Sequence, residues 1–325
     1  MNTKFKVLIT DPYHKNFHIE KEILAEINAV VKIGHCKTEE DVIKICSDMD
    51  GLLVSYVPIG KKVIENLHKC KVIVKYAVGV DNIDLEAATL KKIFVVNVPR
   101  YCVEEVSTHT VALLLNLIRK ISKYDQSVKK GCWDPLVGDP IFRLENKTLG
   151  IIGFGNIGKS VTEKFRPFKF SIIVYDPLVN DKIISKYGAK KVELETLLRR
   201  SDYITLHCPL NKFTKHLIDC KEIEIMKKGV FLINTSRGEI INQKALYKAL
   251  QDGKIAGTAL DVLEKDPPSL TDIMNTDKII YTPHVAWNSV EAERELRKSA
   301  AQEVKRVLEG GKPLNLVNKE VLKYY

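Results

Sequence analysis

Gly153, Gly155 and Gly158 fall in the run Leu149-Gly-Ile-Ile-Gly-Phe-Gly-Asn-Ile-Gly-Lys-Ser160, which reads as a short apolar strand passing through a glycine turn into a helix. Each glycine has a physical task. The first permits a tight turn, the second lets backbone approach a pyrophosphate, and the third lets the helix pack closely on the strand. The helix start, Asn156 and Ile157, then turns unpaired N–H groups toward the phosphates. A glycine pattern alone is weak. It is strengthened by a second strand, Ser171-Ile-Ile-Val-Tyr-Asp176, ending in a carboxylate about 20 residues past the turn. Asp176 would accept hydrogen bonds from ribose hydroxyls and repel a 2′-phosphate, and no Arg immediately follows to receive one. The cofactor expected is therefore NAD rather than NADP, held by Gly153, Phe154, Gly155, Asn156, Ile157, Gly158 and Asp176.

Three later strand ends carry groups able to work beside such a cofactor. Asn234-Thr-Ser-Arg-Gly238 presents Arg237, whose planar guanidinium can hold a carboxylate through two hydrogen bonds. Leu260-Asp-Val-Leu-Glu-Lys-Asp-Pro267 presents Asp266, and Thr282-Pro-His-Val-Ala-Trp287 presents His284, the side chain suited to exchanging a proton near neutral pH. A nicotinamide supplies hydride, so the protein must supply orientation, a proton relay and charge stabilisation. Each residue alone has an ordinary explanation: Arg237 as a surface or capping residue, Asp266 as a turn former, His284 as a partner for loop backbone. Behind a dinucleotide fingerprint, the three together read as catalytic. Val74-Lys-Tyr-Ala-Val-Gly-Val-Asp-Asn-Ile-Asp84 follows an earlier strand, and its small residues can form an anion nest of backbone N–H groups or a plain capped turn.

These groups need elements to hold them. β-branched runs at residues 6–10, 29–33, 51–55, 72–76 and 93–97 alternate with helical pattern, which implies a parallel sheet covered by helices. After Pro99 a long helix is expected over Val103–Lys120, apolar on most sides around Val111–Ile118 and placed between packed bodies. The pattern dissolves into Gly, Pro and Asp around Gly131–Asn146. A second series starts at Leu149 and continues at residues 202–206, 229–234, 256–262 and 278–282, and the charged helical tail, 292–310, can return to the first series. The expected fold is α/β, with two doubly wound parallel-sheet domains. A flavodoxin-like substrate domain spans 1–100 plus 291–325, and a Rossmann NAD domain spans 101–290, with a cleft between them. Hinges are expected near Pro99–Tyr101 and Trp287–Val290, since hydride transfer benefits from closure.

A chain of 325 residues exceeds what one core usually supports. Its seven cysteines (Cys36, Cys46, Cys70, Cys102, Cys132, Cys208 and Cys220) form no CxxC pair, which argues for reduced thiols and against zinc, so no metal is expected. The N-terminus enters a strand almost at once and no apolar run approaches the roughly 20 residues of a membrane span, so a cytoplasmic protein is expected. The net charge of +10 comes from dispersed lysines rather than one tract, which points away from nucleic acid and toward a solvated surface.

Taken in order, these segments resemble the D-isomer-specific 2-hydroxyacid dehydrogenase family over nearly the whole chain. Asn97-Val-Pro-Arg-Tyr-Cys-Val-Glu-Glu-Val106 and Thr282-Pro-His-Val-Ala-Trp-Asn-Ser289 are similar to the branch of C-terminal binding proteins and phosphoglycerate-dehydrogenase-like enzymes. The resemblance implies that Arg237 binds the substrate carboxylate and keto oxygen. His284 donates a proton as NADH delivers hydride, and Asp266 orients His284 and favours its protonated form. It implies a substrate nest at Ala77, Val78 and Gly79. Val78, Cys208, Pro209, Thr235, Ser236, Arg237, Asp261, His284 and Trp287 would line the cofactor or the active cleft. The implied partners are a small 2-keto or 2-hydroxy acid and a second copy in a homodimer, with no nucleic acid and no membrane. The other reading of the resemblance is an NAD-sensing protein-interaction module. The departures are Asp266 where the family usually has Glu, Ala77 for a nest glycine, Arg100 where an acid is frequent and Thr108 at an acidic position. The Val54–Ile59 stretch carries no cation, which argues against a phosphorylated substrate.

Overall fold

The computed structural model describes residues 4–14 and 16–325. The chain divides into two compact units, Met1–Tyr101 with Ser289–Tyr325, and Cys102–Asn288.

In the first unit β1 (Phe5–Ile9), β2 (Ala29–Ile33), β3 (Gly51–Val54), β4 (Val72–Lys75) and β5 (Phe94–Val96) form one sheet in the order β2-β1-β3-β4-β5. All its pairings are parallel. β3 and β4 are buried at every position, as a sheet covered on both faces requires. On one face Leu8, Leu52, Val54 and Ile73 pack with Val42, Cys46, Val63 and Ile64 from intervening helices. The other face receives the helix Val290–Leu308, whose Val304 lies against Gly51, so the charged tail does join this unit. That helix starts where the Ser289 hydroxyl accepts from the Ala292 N–H at 2.9 Å. It is fixed to the helix His18–Ala25 by Arg297, whose Nε and Nη2 donate to the two carboxylate oxygens of Glu20 at 2.9 and 2.8 Å. Register pairs Val54 with Lys75. This sets the loop after β3 beside the segment Tyr76–Gly79.

The second unit contains β6 (Thr148–Ile152), β7 (Ser171–Tyr175), β8 (Lys190–Lys191), β9 (Tyr203–Leu206), β10 (Val230–Asn234), β11 (Ile255–Leu260) and β12 (Ile279–Tyr281) in the order β12-β11-β10-β9-β6-β7-β8. All are parallel. The chain leaves β6 toward β7 on one side and returns to β9 on the other, so the turn after β6 lies where strand order reverses, the place at which open α/β sheets bind ligands. Neighbouring residues face opposite cores. Ile151 packs with Leu113, Leu114, Val161 and Phe165, while Ile152 packs with Leu197, Ile204 and Leu246.

The long helix occupies Val103–Arg119. The apolar residues of its second half, Leu113, Leu114, Leu117 and Ile118, belong to the core of this unit. Lys120 takes a left-handed conformation, φ 54°, and separates that helix from another, Ile121–Lys129, which the sequence pattern does not announce. No helix among the described residues is long and apolar enough to cross a membrane.

Candidate active site

The turn after β6 shows a different constraint at each glycine. Gly153 has φ +92°, and a Cβ there would lie 2.5 Å from the Cys208 nitrogen. Gly158, inside the helix Asn156–Phe165, packs so closely that a Cβ would lie 2.3 Å from the Gly153 carbonyl oxygen. A Cβ on Gly155 would meet nothing within 4 Å, so the middle of the turn is open at the head of the helix. An open backbone cradle at a helix N-terminus, flanked by a carboxylate, fits the pyrophosphate and ribose of a dinucleotide. The carboxylate is Asp176, just past β7. Its Oδ2 accepts from the Phe154 N–H at 2.8 Å and its Oδ1 from the Leu178 N–H at 2.9 Å. Asp176 thus fixes the turn and retains lone pairs for further donors.

Arg237 follows β10 on a turn clasped by Asn234, a fully buried residue that sequence reasoning passed over. The Asn234 Nδ2 donates to the Arg237 carbonyl at 2.8 Å, and its Oδ1 accepts from the Ser236 N–H at 3.0 Å. A buried amide ending an apolar strand was the available signal. Within the same turn, Ser236 Oγ donates to the Cys208 carbonyl at 2.5 Å, Thr235 Oγ1 lies 2.9 Å from Thr110 Oγ1, and Arg237 Nη1 donates to the Ser236 carbonyl at 2.8 Å. Cys208 and Pro209 follow β9. Burial pushes the Cys208 thiol up to about 11, so it stays protonated at neutral pH.

His207, just before Cys208, was also missed. Its Nε2 lies 3.0 Å from Thr205 Oγ1, and its Nδ1 is enclosed with no partner among the described residues. Burial pushes the imidazole down to about 3.

His284 Nδ1 lies 2.6 Å from Asp266 Oδ2, so these two sequence-selected residues meet. Both are about one-third exposed. His284 has φ +52°, a conformation uncommon outside glycine. The loop is held there by Asp261, at the end of β11. The Asp261 carboxylate accepts from Thr282 Oγ1 at 2.5 Å and from the N–H groups of Val285 and Ala286 at 2.9 and 3.0 Å, while its carbonyl accepts from the His284 N–H at 2.8 Å. His109 on the long helix adds an Nε2 contact of 3.1 Å to Thr282 Oγ1. Asp261 is buried, and its visible work is shaping the His284 loop. Trp287, directly after the Ala286 contact, is partly buried.

In the first unit, Ala77, Val78 and Gly79 follow β4. Asn97 Nδ2 donates to the Val78 carbonyl at 2.6 Å, and the Val98 N–H donates to the Ala77 carbonyl at 3.0 Å, which orders the segment through its carbonyls. Ala77 takes no positive φ, so its side chain strains nothing. Beside it, the buried Lys75 ammonium donates to the Ser55 carbonyl and lies 5.8 Å over the Tyr56 ring. The Val54–Ile59 stretch therefore has a cation next to it, supplied by a neighbouring strand that its own sequence cannot reveal.

Residues 111–286 match the model of the D-isomer specific 2-hydroxyacid dehydrogenase NAD binding domain. The chain is 39% identical over 315 residues to the D-3-phosphoglycerate dehydrogenase of Methanocaldococcus jannaschii, covering 96% of this chain and 59% of that protein. It is 39% identical over 270 residues to the glyoxylate reductase of Thermococcus litoralis, covering 81% and 82%. A crystal structure of D-lactate dehydrogenase from Aquifex aeolicus, complexed with NAD and lactic acid, superposes with a TM-score of 0.86 at 28% identity over 98% of each chain. The chain belongs to the D-isomer-specific 2-hydroxyacid dehydrogenase family of oxidoreductases, and its glycine turn is part of an NAD-binding domain. It spans well under two-thirds of the length of the first of these relatives and most of the second.

Proposed function

We propose that the protein is an NAD-dependent dehydrogenase that interconverts a small 2-keto acid and its D-2-hydroxy acid. The observation that carries this reading is the His284–Asp266 contact at 2.6 Å, on a loop fixed by Asp261, in the unit that carries the dinucleotide turn. Bound NADH supplies the hydride to the keto carbon. With Nδ1 turned to Asp266, His284 gives a proton to the keto oxygen from Nε2, and in the reverse direction the same nitrogen takes it back. The Asp266 carboxylate holds the ring in one orientation. Arg237 holds the substrate carboxylate and polarises the keto oxygen, on a turn kept rigid by Asn234. In the first unit, the N–H groups of Val78 and Gly79 offer a nest for a carboxylate. Gly153 to Gly158, Asp176, Cys208, Pro209, Thr235, Ser236, Asp261 and Trp287 shape the cofactor site.

In this reading residues 1–100 with 291–325 bind substrate and 101–290 bind NAD. The protein is cytoplasmic and homodimeric. A dimer is supported by exposed apolar side chains between the long helix and β6: Ile121, Val128, Leu136, Phe142 and Trp133, the last 87% exposed. The names of the relatives make glyoxylate the first substrate to try. The test is NADH oxidation with glyoxylate, hydroxypyruvate, pyruvate and longer 2-keto acids, against Arg237→Ala and His284→Ala. Turnover of at least one acid, lost in both variants, is expected. Folded protein that binds NADH but turns over none of them would reject the proposal.

A further inference from the structure

The proposed chemistry needs Arg237 and Asp266 in fixed register, yet they sit on different loops, and no sequence motif joins them. The structure does join them, two residues before Asp266. Gly238, directly after Arg237, approaches the next loop so closely that a Cβ would lie 1.9 Å from the carbonyl carbon of Leu263 and 2.4 Å from the Glu264 nitrogen. Glu264 is then gripped from three directions. Its Oε1 accepts from the Gln243 N–H at 3.0 Å, its own N–H donates to Gln243 Oε1 at 3.2 Å, and its Oε1 lies 3.0 Å from His216 Nε2. Gln243 is itself tied by Nε2 to the Asp272 carbonyl at 2.8 Å, beyond Asp266 in the chain. His216 is tied by its N–H to the Glu239 carbonyl at 2.7 Å, one residue after Gly238. The clasp thus begins beside Arg237 and ends on both sides of Asp266.

We propose that Glu264, held by Gln243 and His216 against Gly238, is a positioning residue that sets the placement of the Asp266–His284 pair relative to Arg237. It touches neither member of the pair and acts through the backbone of Lys265, the one residue between it and Asp266. This rests on the dehydrogenase reading above. A carboxylate chosen only for solubility would not make reciprocal bonds with one glutamine and pair with a histidine whose backbone is φ +51°.

Glu264→Ala and Glu264→Gln test it, because the amide oxygen of glutamine still accepts from the Gln243 N–H. In the alanine variant kcat with the best 2-keto acid is expected to fall about 10- to 100-fold, the scale of a misplacement near 1 Å. NADH affinity should stay within about twofold. The glutamine variant should recover most of the kcat. An alanine variant with the parent's kcat overturns the proposal. The low-field Nδ1 proton resonance of His284 reads the pair without turnover. Its loss in Glu264→Ala but not in Glu264→Gln supports the proposal even if the parent protein reduces no 2-keto acid, and its persistence unchanged in the alanine variant overturns it.

Discussion

His284 Nδ1 and Asp266 Oδ2 meet at 2.6 Å although aspartate is one methylene shorter than the glutamate usual in the resembling family. The loop that carries His284 is fixed where this contact forms. Asp261 draws the backbone of residues 282–286 inward with four hydrogen bonds and holds His284 at φ +52°.

Asp266→Asn should therefore keep the fold and lose the charge that steadies the ring. A fall in kcat/KM of roughly 100-fold is expected. Asp266→Glu tests the geometry separately. The added methylene has no space at a contact already 2.6 Å long, so a smaller loss than for asparagine is expected, in kcat rather than in NADH affinity. Steady-state kinetics from pH 5 to 10 and an NADH fluorescence titration read both variants.

Arg297 and Glu20 carry a stability prediction for the first unit. Their side chains are 4% and 0% exposed and form a two-pronged pair, with Tyr76 Oη also donating to Glu20 Oε1 at 3.1 Å. Removing one partner leaves a buried charge. Arg297→Met should cost about 3–5 kcal/mol, and adding Glu20→Leu should restore much of it, since two apolar side chains leave no charge stranded. Urea denaturation of the two variants and the parent decides this, and a double variant no more stable than Arg297→Met would refute the account.

The elements that sequence made legible are those whose signal is local. Alternating β-branched runs located the strands to within a residue or two, and the three glycines, Asp176, Arg237, Asp266 and His284 stood at strand ends because types and spacing mark such ends. What stayed hidden depends on partners distant in the chain. β8 is two lysines, Lys190–Lys191, and is a strand only because β7 lies beside it. Asn234, Glu264 and Lys75 look like ordinary polar residues until folding brings up the Arg237 turn, Gln243 and Ser55. The helix Ile121–Lys129 is short and sets Ile121, Tyr124 and Val128 on one side without burying any of them, so no core position marks it.

His207 gives a pH dependence of stability. Its imidazole is held neutral in the folded protein down to about 3, whereas in the unfolded chain it takes its proton near the ordinary 6.5. Between those values the unfolded chain binds the extra proton, so acid in that window favours unfolding. The contribution is complete above 6.5 and falls by up to about 1.4 kcal/mol per pH unit below it. Urea midpoints at pH 7.5 and 5.5 should therefore fall further apart in the parent than in His207→Gln, which has no ring to protonate. Equal differences in the two proteins would show that this ring does not drive the acid sensitivity.

The glycine turn separates binding from folding. Gly155 has φ −73° and ψ −159°, which alanine adopts readily, and its Cβ would enter open space, so Gly155→Ala should unfold at the parent's denaturant midpoint. That open space is where a pyrophosphate approaches the backbone, so a methyl group there should weaken NADH binding by about 10-fold or more, as a lost charge-assisted contact of roughly 1.5–3 kcal/mol implies. Gly158→Ala should behave oppositely. Its Cβ would lie 2.3 Å from the Gly153 carbonyl oxygen, so helix and turn must separate, and a loss of stability of about 1–3 kcal/mol is expected together with weaker binding. Denaturation midpoints and NADH titrations of the two variants distinguish the roles: equal destabilisation by both would mean that the turn is a packing device with no ligand face.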